Sequence, residues 1–370
     1  MSCDFLQLAT PGVRGLHPYL PGKPIAELER EYGVSNIIKL ASNENPLGSS
    51  PAALQAITAG MDELSLYPDA NGFELKLALS ESLGVQAECI TLGNGSNDVL
   101  VLLAEAWLSP QHNAVFSEYC FAVYPIATQA VGAEARIAAA LPADSEMPLG
   151  HDLQALSELI DSNTRIVFVA NPNNPTGTWL DTNTLESFIS STPANCLVVL
   201  DEAYLEYANT AADTTSWLRK YPNLVITRTF SKAFGLAGLR VGYALSSAQI
   251  AAVLNRVRQP FNVNSLALLA AEAALGDVEF LARSKNLNDT GMQQLQAGLN
   301  DLGLLTIPSA GNFILVDMGR EAMPVYEALL RSSVIVRPVG NYGLPEHLRI
   351  TIGTADQNTK LLNALQDIYA

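Results

Sequence analysis

Apolar positions along the chain follow two alternating rhythms. NAVFSE, RIVFVANPNNPTG, NCLVVLDEAY and NLVITRTFSK each hold a short, β-branched apolar run, and several show no every-second-residue alternation. Most are separated by segments with apolar residues at helical spacing, among them LQALSELI and LESFI. Unalternated strands separated by helices predict a mostly parallel sheet covered on both faces. Before this region, AALQAITAG and ELKLALSESLG have helical spacing, each closed by a glycine in the C-cap position. Further upstream, Pro11, Gly12, Pro18, Pro21, Gly22 and Pro24 are too frequent for a long helix, which predicts an arm, and IIKLASNENP follows as a strand running into a turn. After Pro260 the character changes. One long Ala- and Leu-rich helical stretch, through NDLG, leads to NFILVDMG, a helix around AMPVYEALLRSS, the strands VIVRPVG and HLRITIG, and a last helix. The predicted class is α/β: a large unit over residues 46–265 and a smaller α+β unit over residues 266–370, joined by the strand that ends residues 1–45.

Composition narrows the partners. Hydrophobic residues make up 48% of the 370-residue chain and charged residues 16%, as in an ordered globular protein. With 21 Lys and Arg against 37 Asp and Glu, the net charge is −16, which argues against nucleic-acid binding. Any anionic ligand must then rely on local arginines. Cys3, Cys89, Cys120 and Cys196 are far apart with no C-x-x-C pair, consistent with free thiols, a reducing compartment and no zinc site. The first residues contain no apolar leader core and no run approaches a membrane span, so the expected location is cytoplasmic, away from a membrane.

Ligands of such sheets gather beyond the carboxyl ends of the strands. Those ends carry residues 171–177, 201–204 and 229–232. In TFSKAFGLAGLR an amine, Lys232, lies among the hydroxyls of Thr229 and Ser231 and the guanidinium of Arg240. A lysine can capture a carbonyl, while hydroxyls, turn amides and a guanidinium hold a phosphate or another anion. Pyridoxal phosphate needs both. Its ring nitrogen needs a carboxylate, for which Asp201 is suited; its phenolic oxygen needs a neutral donor, which Asn174 and Tyr204 can provide; its ring face can be covered by Tyr119. GNGSND leads from a strand through two glycines into a helix start, where open N–H groups suit a phosphate. Taken singly, each has a plainer role: a surface lysine, a turn aspartate, an Asn-Pro turn, a core aromatic, or the N-caps Ser96, Asn97 and Asp98. Their order along one sheet joins them. In LHPYLPG, His17 and Tyr19 either stand at the mouth of a site or pin the arm.

SNENPLG at 42–48, LYPD at 66–69, GNGSND at 93–98, NPNNPTG at 171–177, DEAY at 201–204, TFSKAFGLAGLRVGY at 229–243 and LRITIGT at 348–354 resemble the fold-type I pyridoxal phosphate aminotransferases. Within them, the chain is similar to the histidinol-phosphate branch over nearly its full length. The resemblance implies that Lys232 holds pyridoxal 5′-phosphate, that Asp201 meets its ring nitrogen, that Asn174 and Tyr204 meet its phenolic oxygen, and that Tyr119 stacks on the ring. It implies a phosphate cradle of Gly95, Ser96, Thr229, Ser231 and Arg240, completed by Tyr67 from the second subunit of a homodimer. Arg349, Arg337 and Tyr19 would hold the substrate's phosphate, and 2-oxoglutarate would use the same anion site. The implied reaction is transamination of L-histidinol phosphate in histidine biosynthesis. Alternatives are an aromatic (Phe/Tyr) aminotransferase, a phospho-amino acid decarboxylase, and a pyridoxal-binding transcription regulator, which would need a basic DNA-binding segment.

Overall fold

The computed structural model describes residues 3–18, 22–208 and 212–370. Its strands are β1 (Ile38–Lys39), β2 (Ile90–Gly93), β3 (Asn113–Ser117), β4 (Glu134–Ala138), β5 (Thr164–Ala170), β6 (Leu197–Asp201), β7 (Leu224–Thr229) and β8 (Gly242–Leu245). They continue with β9 (Leu305–Ile307), β10 (Phe313–Asp317), β11 (Val334–Ile335), β12 (Arg337–Pro338) and β13 (His347–Thr351). The large sheet runs β2-β8-β7-β6-β5-β3-β4. Its pairs from β7 across to β4 are parallel, while β8 is antiparallel to both β2 and β7.

Burial explains the missing alternation. Ile166 and Phe168 of β5 join Val99, Leu100 and Leu103 of the helix Ser96–Trp107 in one core. Val167 and Val169 point the other way, into a core with Val198, Leu200, Ile226 and Ala270. Successive strand residues face opposite sides, and here both sides are apolar. β4 is different: it lies at the sheet edge with Glu134, Ala135 and Ile137 exposed, and such charge on an edge strand discourages pairing with another chain.

The long Ala- and Leu-rich stretch is two helices, Ser265–Gly276 and Val278–Asp301, rather than one. Asp277 separates them and caps the second, accepting from Phe280 N at 3.1 Å. Ala267, Ala270, Ala271 and Ala274 of the first belong to the core of the large sheet, so this helix packs with that sheet, although it lies beyond residue 265. Gly60 ends the helix Pro51–Gly60 without the left-handed C-cap geometry expected of it. A Cβ on Gly60 would stand 2.4 Å from Leu269 Cδ1, so small size at the crossing of two helices is what the position requires. Gly84, by contrast, does close its helix in the left-handed region, at φ 65°.

The small sheet, β12-β13-β10-β9, is antiparallel. β1 pairs in parallel with β11, and Leu40 just after β1 is buried among Ile314, Leu348 and Leu361. The N-terminal segment therefore packs into the C-terminal core. The arm contains one longer helix that its prolines and glycines obscured, Ile25–Tyr32. Among the described residues, no helix is long and apolar enough to cross a membrane.

Candidate active site

A cleft of ≈ 210 Å³ opens between the carboxyl ends of β5, β6 and β7 and the face of the small sheet. Asn174, Asp201, Tyr204, Thr229, Ser231 and Lys232 line it from the first side, Ser96 and Arg240 from the adjoining turn and helix start, and Arg337 and Arg349 from β12 and β13.

Asp201, the last residue of β6, is 4% exposed. Tyr124 Oη donates to its Oδ2 at 2.8 Å and Thr227 Oγ1 to its Oδ1 at 3.1 Å. Tyr124 is itself clamped by stacking on Phe168, with centroids 4.6 Å apart. Burial pushes the Asp201 carboxyl above its ordinary value, and the two hydroxyls partly oppose this. The next residue, Glu202, forms a buried ion pair with Arg228 of β7 at 2.8 Å.

After β7 the chain turns so that Thr229 Oγ1 accepts from Ser231 N at 3.1 Å, while Arg240 Nη1 donates to Ser231 Oγ at 3.2 Å. Gly95 stands opposite, at φ 84°, immediately before the helix Ser96–Trp107. A Cβ there would lie 2.5 Å from Arg240 Nη2, so only glycine lets the guanidinium approach the open amides of the helix start. Lys232 keeps partial solvent access. Its Nζ donates to Ser42 O at 3.1 Å and lies 5.7 Å from the Tyr204 ring centroid. Enclosure of the amine, together with the positive charges of Arg349 and Arg240, lowers its pKa from 10.5 to about 7.

Arg337 and Arg349 are direct register partners across β12 and β13, and both are 6% exposed. Arg349 Nη1 donates to Asn174 Oδ1 at 2.5 Å and Nη2 to Ala41 O at 2.9 Å. Two like charges facing each other across an antiparallel pair repel, and the cleft between them is therefore suited to an anion.

Three expected residues lie elsewhere. Gly95 shapes the cleft from behind, as described. Tyr119 does not line it: this residue packs with Leu315, Val339 and Leu344, and Phe121, two residues on, lines the cleft instead. Tyr67 is 83% exposed and stacks on Phe261, with centroids 4.7 Å apart. Around it Met61, Leu64, Leu66 and Phe73 are also exposed. Tyr19 falls outside the described residues. Sequence reasoning missed Phe121, Tyr124, Thr227 and Asn43; only Asn43 carried a signal, through its place in SNENPLG.

The family model "Aminotransferase class I and II" matches residues 35–365. The chain is 60% identical to histidinol-phosphate aminotransferase 2 of Pseudomonas fluorescens over 374 residues, covering 100% of both chains. It is also 60% identical to histidinol-phosphate aminotransferase 2 of Pseudomonas aeruginosa, covering 99% of each. Among solved structures, histidinol-phosphate aminotransferase from Sinorhizobium meliloti, in complex with pyridoxal-5′-phosphate, superposes with a TM-score of 0.89 at 28% identity, covering 97% of each chain. The chain thus belongs to the class I and II aminotransferases and, within them, to the histidinol-phosphate aminotransferases.

Proposed function

We propose that this protein uses pyridoxal 5′-phosphate to transfer the amino group of L-histidinol phosphate to 2-oxoglutarate, giving imidazole acetol phosphate and L-glutamate in histidine biosynthesis. The observation that carries the substrate assignment is the facing pair Arg337 and Arg349. Two guanidiniums suit a phosphate dianion, and the carboxylates of 2-oxoglutarate can use the same pair in the second half of the cycle.

The cleft fits the cofactor. Asp201 is a buried carboxylate whose hydrogen-bonding neighbours include the neutral hydroxyls of Tyr124 and Thr227, and a buried charge of this kind calls for a cation such as a protonated ring nitrogen. The close approach of Arg240 to Gly95, with Ser231 and Thr229 beside it, supports a phosphate site at the helix start. When bound, pyridoxal phosphate supplies an aldehyde that takes up the amino group and a protonated ring that withdraws electrons from the reacting carbon.

The chain's own part is to bind and to move protons. Lys232 Nζ, with a pKa of about 7, takes the proton from the substrate carbon that bears nitrogen and returns it at the far side of the exchange. Asn174 and Tyr204 orient the ring through its phenolic oxygen. The ring-stacking role passes from Tyr119 to Phe121. Arg349, bonded to Asn174, ties the substrate anion site to the cofactor site.

The exposed apolar surface around Tyr67 supports a homodimer in which Tyr67 completes the partner's phosphate cradle. The two-unit organisation belongs to this reading as well, with the N-terminal segment joining the smaller unit and the border moved to follow the helix Ser265–Gly276. Four free cysteines support a cytoplasmic location.

The test is a comparison of amino donors with the purified protein. Histidinol phosphate should give the highest kcat/KM, with glutamate and no carbon dioxide released. Far faster turnover of phenylalanine or tyrosine would overturn the substrate assignment.

A further inference from the structure

SNENP at 42–46 lies at the cleft, but no part in the reaction has been given to its second residue. Asn43 is 1% exposed and holds a left-handed backbone, φ 56°, a conformation that asparagine tolerates better than most residues. Its backbone N donates to Thr351 Oγ1 at 2.9 Å, and its carbonyl accepts from Asn312 Nδ2 at 3.0 Å. Having accepted that N–H, the Thr351 hydroxyl donates to Asn43 Oδ1 at 3.2 Å. The network thus places the amide oxygen toward Thr351 and the nitrogen toward Tyr204. The remaining end, Nδ2, donates to Tyr204 Oη at 2.8 Å.

An amide nitrogen can only donate, so Tyr204 must accept in this bond. Its own O–H is thereby free to point into the cleft. We infer that Asn43 is a positioning residue which, locked by Thr351, aims the Tyr204 hydroxyl as a hydrogen-bond donor toward the cofactor's phenolic oxygen. The inference rests on the reading of Tyr204 as a contact to that oxygen. The chain of control runs from β13 of the small sheet, through the N-terminal segment, to the residue three positions past the end of β6. Other charged or titratable groups facing Tyr204 are Arg349 from β13, Lys232 after β7, Asp201 at the end of β6 and Tyr342 after β12. None of these fixes the direction of the Tyr204 bond to Asn43.

The consequence is measurable apart from turnover. A hydroxyl that donates to the phenolic oxygen favours its unprotonated form, so losing the donor raises the pH at which the bound cofactor's visible absorbance titrates. Asn43→Asp is nearly isosteric but accepts where asparagine donates, drawing the Tyr204 proton away from the cleft. We expect it to raise the titration midpoint by about one pH unit, as Tyr204→Phe does. In a Tyr204→Phe background, most of that shift should vanish. Asn43→Gly keeps the left-handed backbone without adding charge, and serves in the same double-mutant cycle if Asn43→Asp does not fold; a shift in the same direction is expected. An equal shift with and without the Tyr204 hydroxyl, which added charge alone would produce, overturns the inference, as does no shift in the native background. If Tyr204→Phe itself leaves the midpoint unmoved, the reading of Tyr204 as a cofactor contact fails first and takes this inference with it.

Discussion

Replacing Arg337 by glutamine tests the anion site most directly. The side chain is 6% exposed on a short strand, with Arg349 as its register partner. Glutamine removes the charge and keeps a polar group of similar reach. A hydrogen bond to a charged group contributes about 1.5–3 kcal/mol, and each 1.4 kcal/mol is tenfold, so kcat/KM for histidinol phosphate should fall by roughly 10- to 150-fold. On the proposed reading Arg337 holds the phosphate end of the substrate and not the carbon that reacts. It binds ground and transition states alike, and the loss should appear in KM with kcat nearly unchanged. Arg349→Gln should behave differently, because Arg349 also holds Asn174 Oδ1 and Ala41 O; its removal should lower kcat as well. The assay is steady-state kinetics with histidinol phosphate and unphosphorylated histidinol as paired donors. The phosphate-specific loss in Arg337→Gln must be absent for histidinol. Equal losses for both donors, or a loss under about threefold for the phosphate ester, would refute the assignment, since a charge-assisted contact to a buried guanidinium contributes more than that.

Three more outcomes follow. With Lys232 at about 7 rather than 10.5, its amine becomes neutral as pH rises through 7; cofactor uptake by the cofactor-free protein, followed by absorbance, should climb across that pH and then level, whereas a rise continuing toward 10 would contradict the lowered pKa. Arg228→Met leaves Glu202, its partner at 2.8 Å, as a buried unpaired carboxylate; denaturant unfolding should register a loss of about 3–5 kcal/mol, and a loss below about 1 kcal/mol would mean the carboxylate finds water. Mixing Tyr67→Ala with Lys232→Ala subunits should give hybrid dimers with one native site each, about a quarter of native activity under random pairing and above either weakened parent; no gain over the parents, with subunit exchange verified, would place the Tyr67 contribution within its own subunit.

The parts of this molecule legible in its sequence are those in which one short stretch carries the whole signal. β5, β6 and β7 announced themselves because both faces are buried, which removes the polar alternates. Lys232, Asp201 and Asn174 line one cleft, as expected of a parallel sheet, which delivers the ends of its strands to one edge. β4 gave little signal, since an exposed edge strand carries charge where a core strand carries valine. Tyr119 and Phe121 are two residues apart, and which of them enters the cleft depends on how the chain turns after β3. Tyr124 and Thr227 could not be found at all: their roles arise from contact with Asp201, 77 and 26 positions away. Asn43 meets Thr351 across 308 positions, a distance over which local pattern carries no information.

The cleft gathers Lys232, Arg240, Arg337 and Arg349 within a chain of net charge −16. Gathering these groups is a local frustration, because the fold holds close together side chains whose positive charges repel. A phosphate or carboxylate bound among them lowers that repulsion, so its binding also adds to the stability of the folded chain. The enzyme's lifetime in the cell is thereby coupled to the supply of its own ligands, and starvation for cofactor should shorten the life of the protein itself as well as reduce its activity.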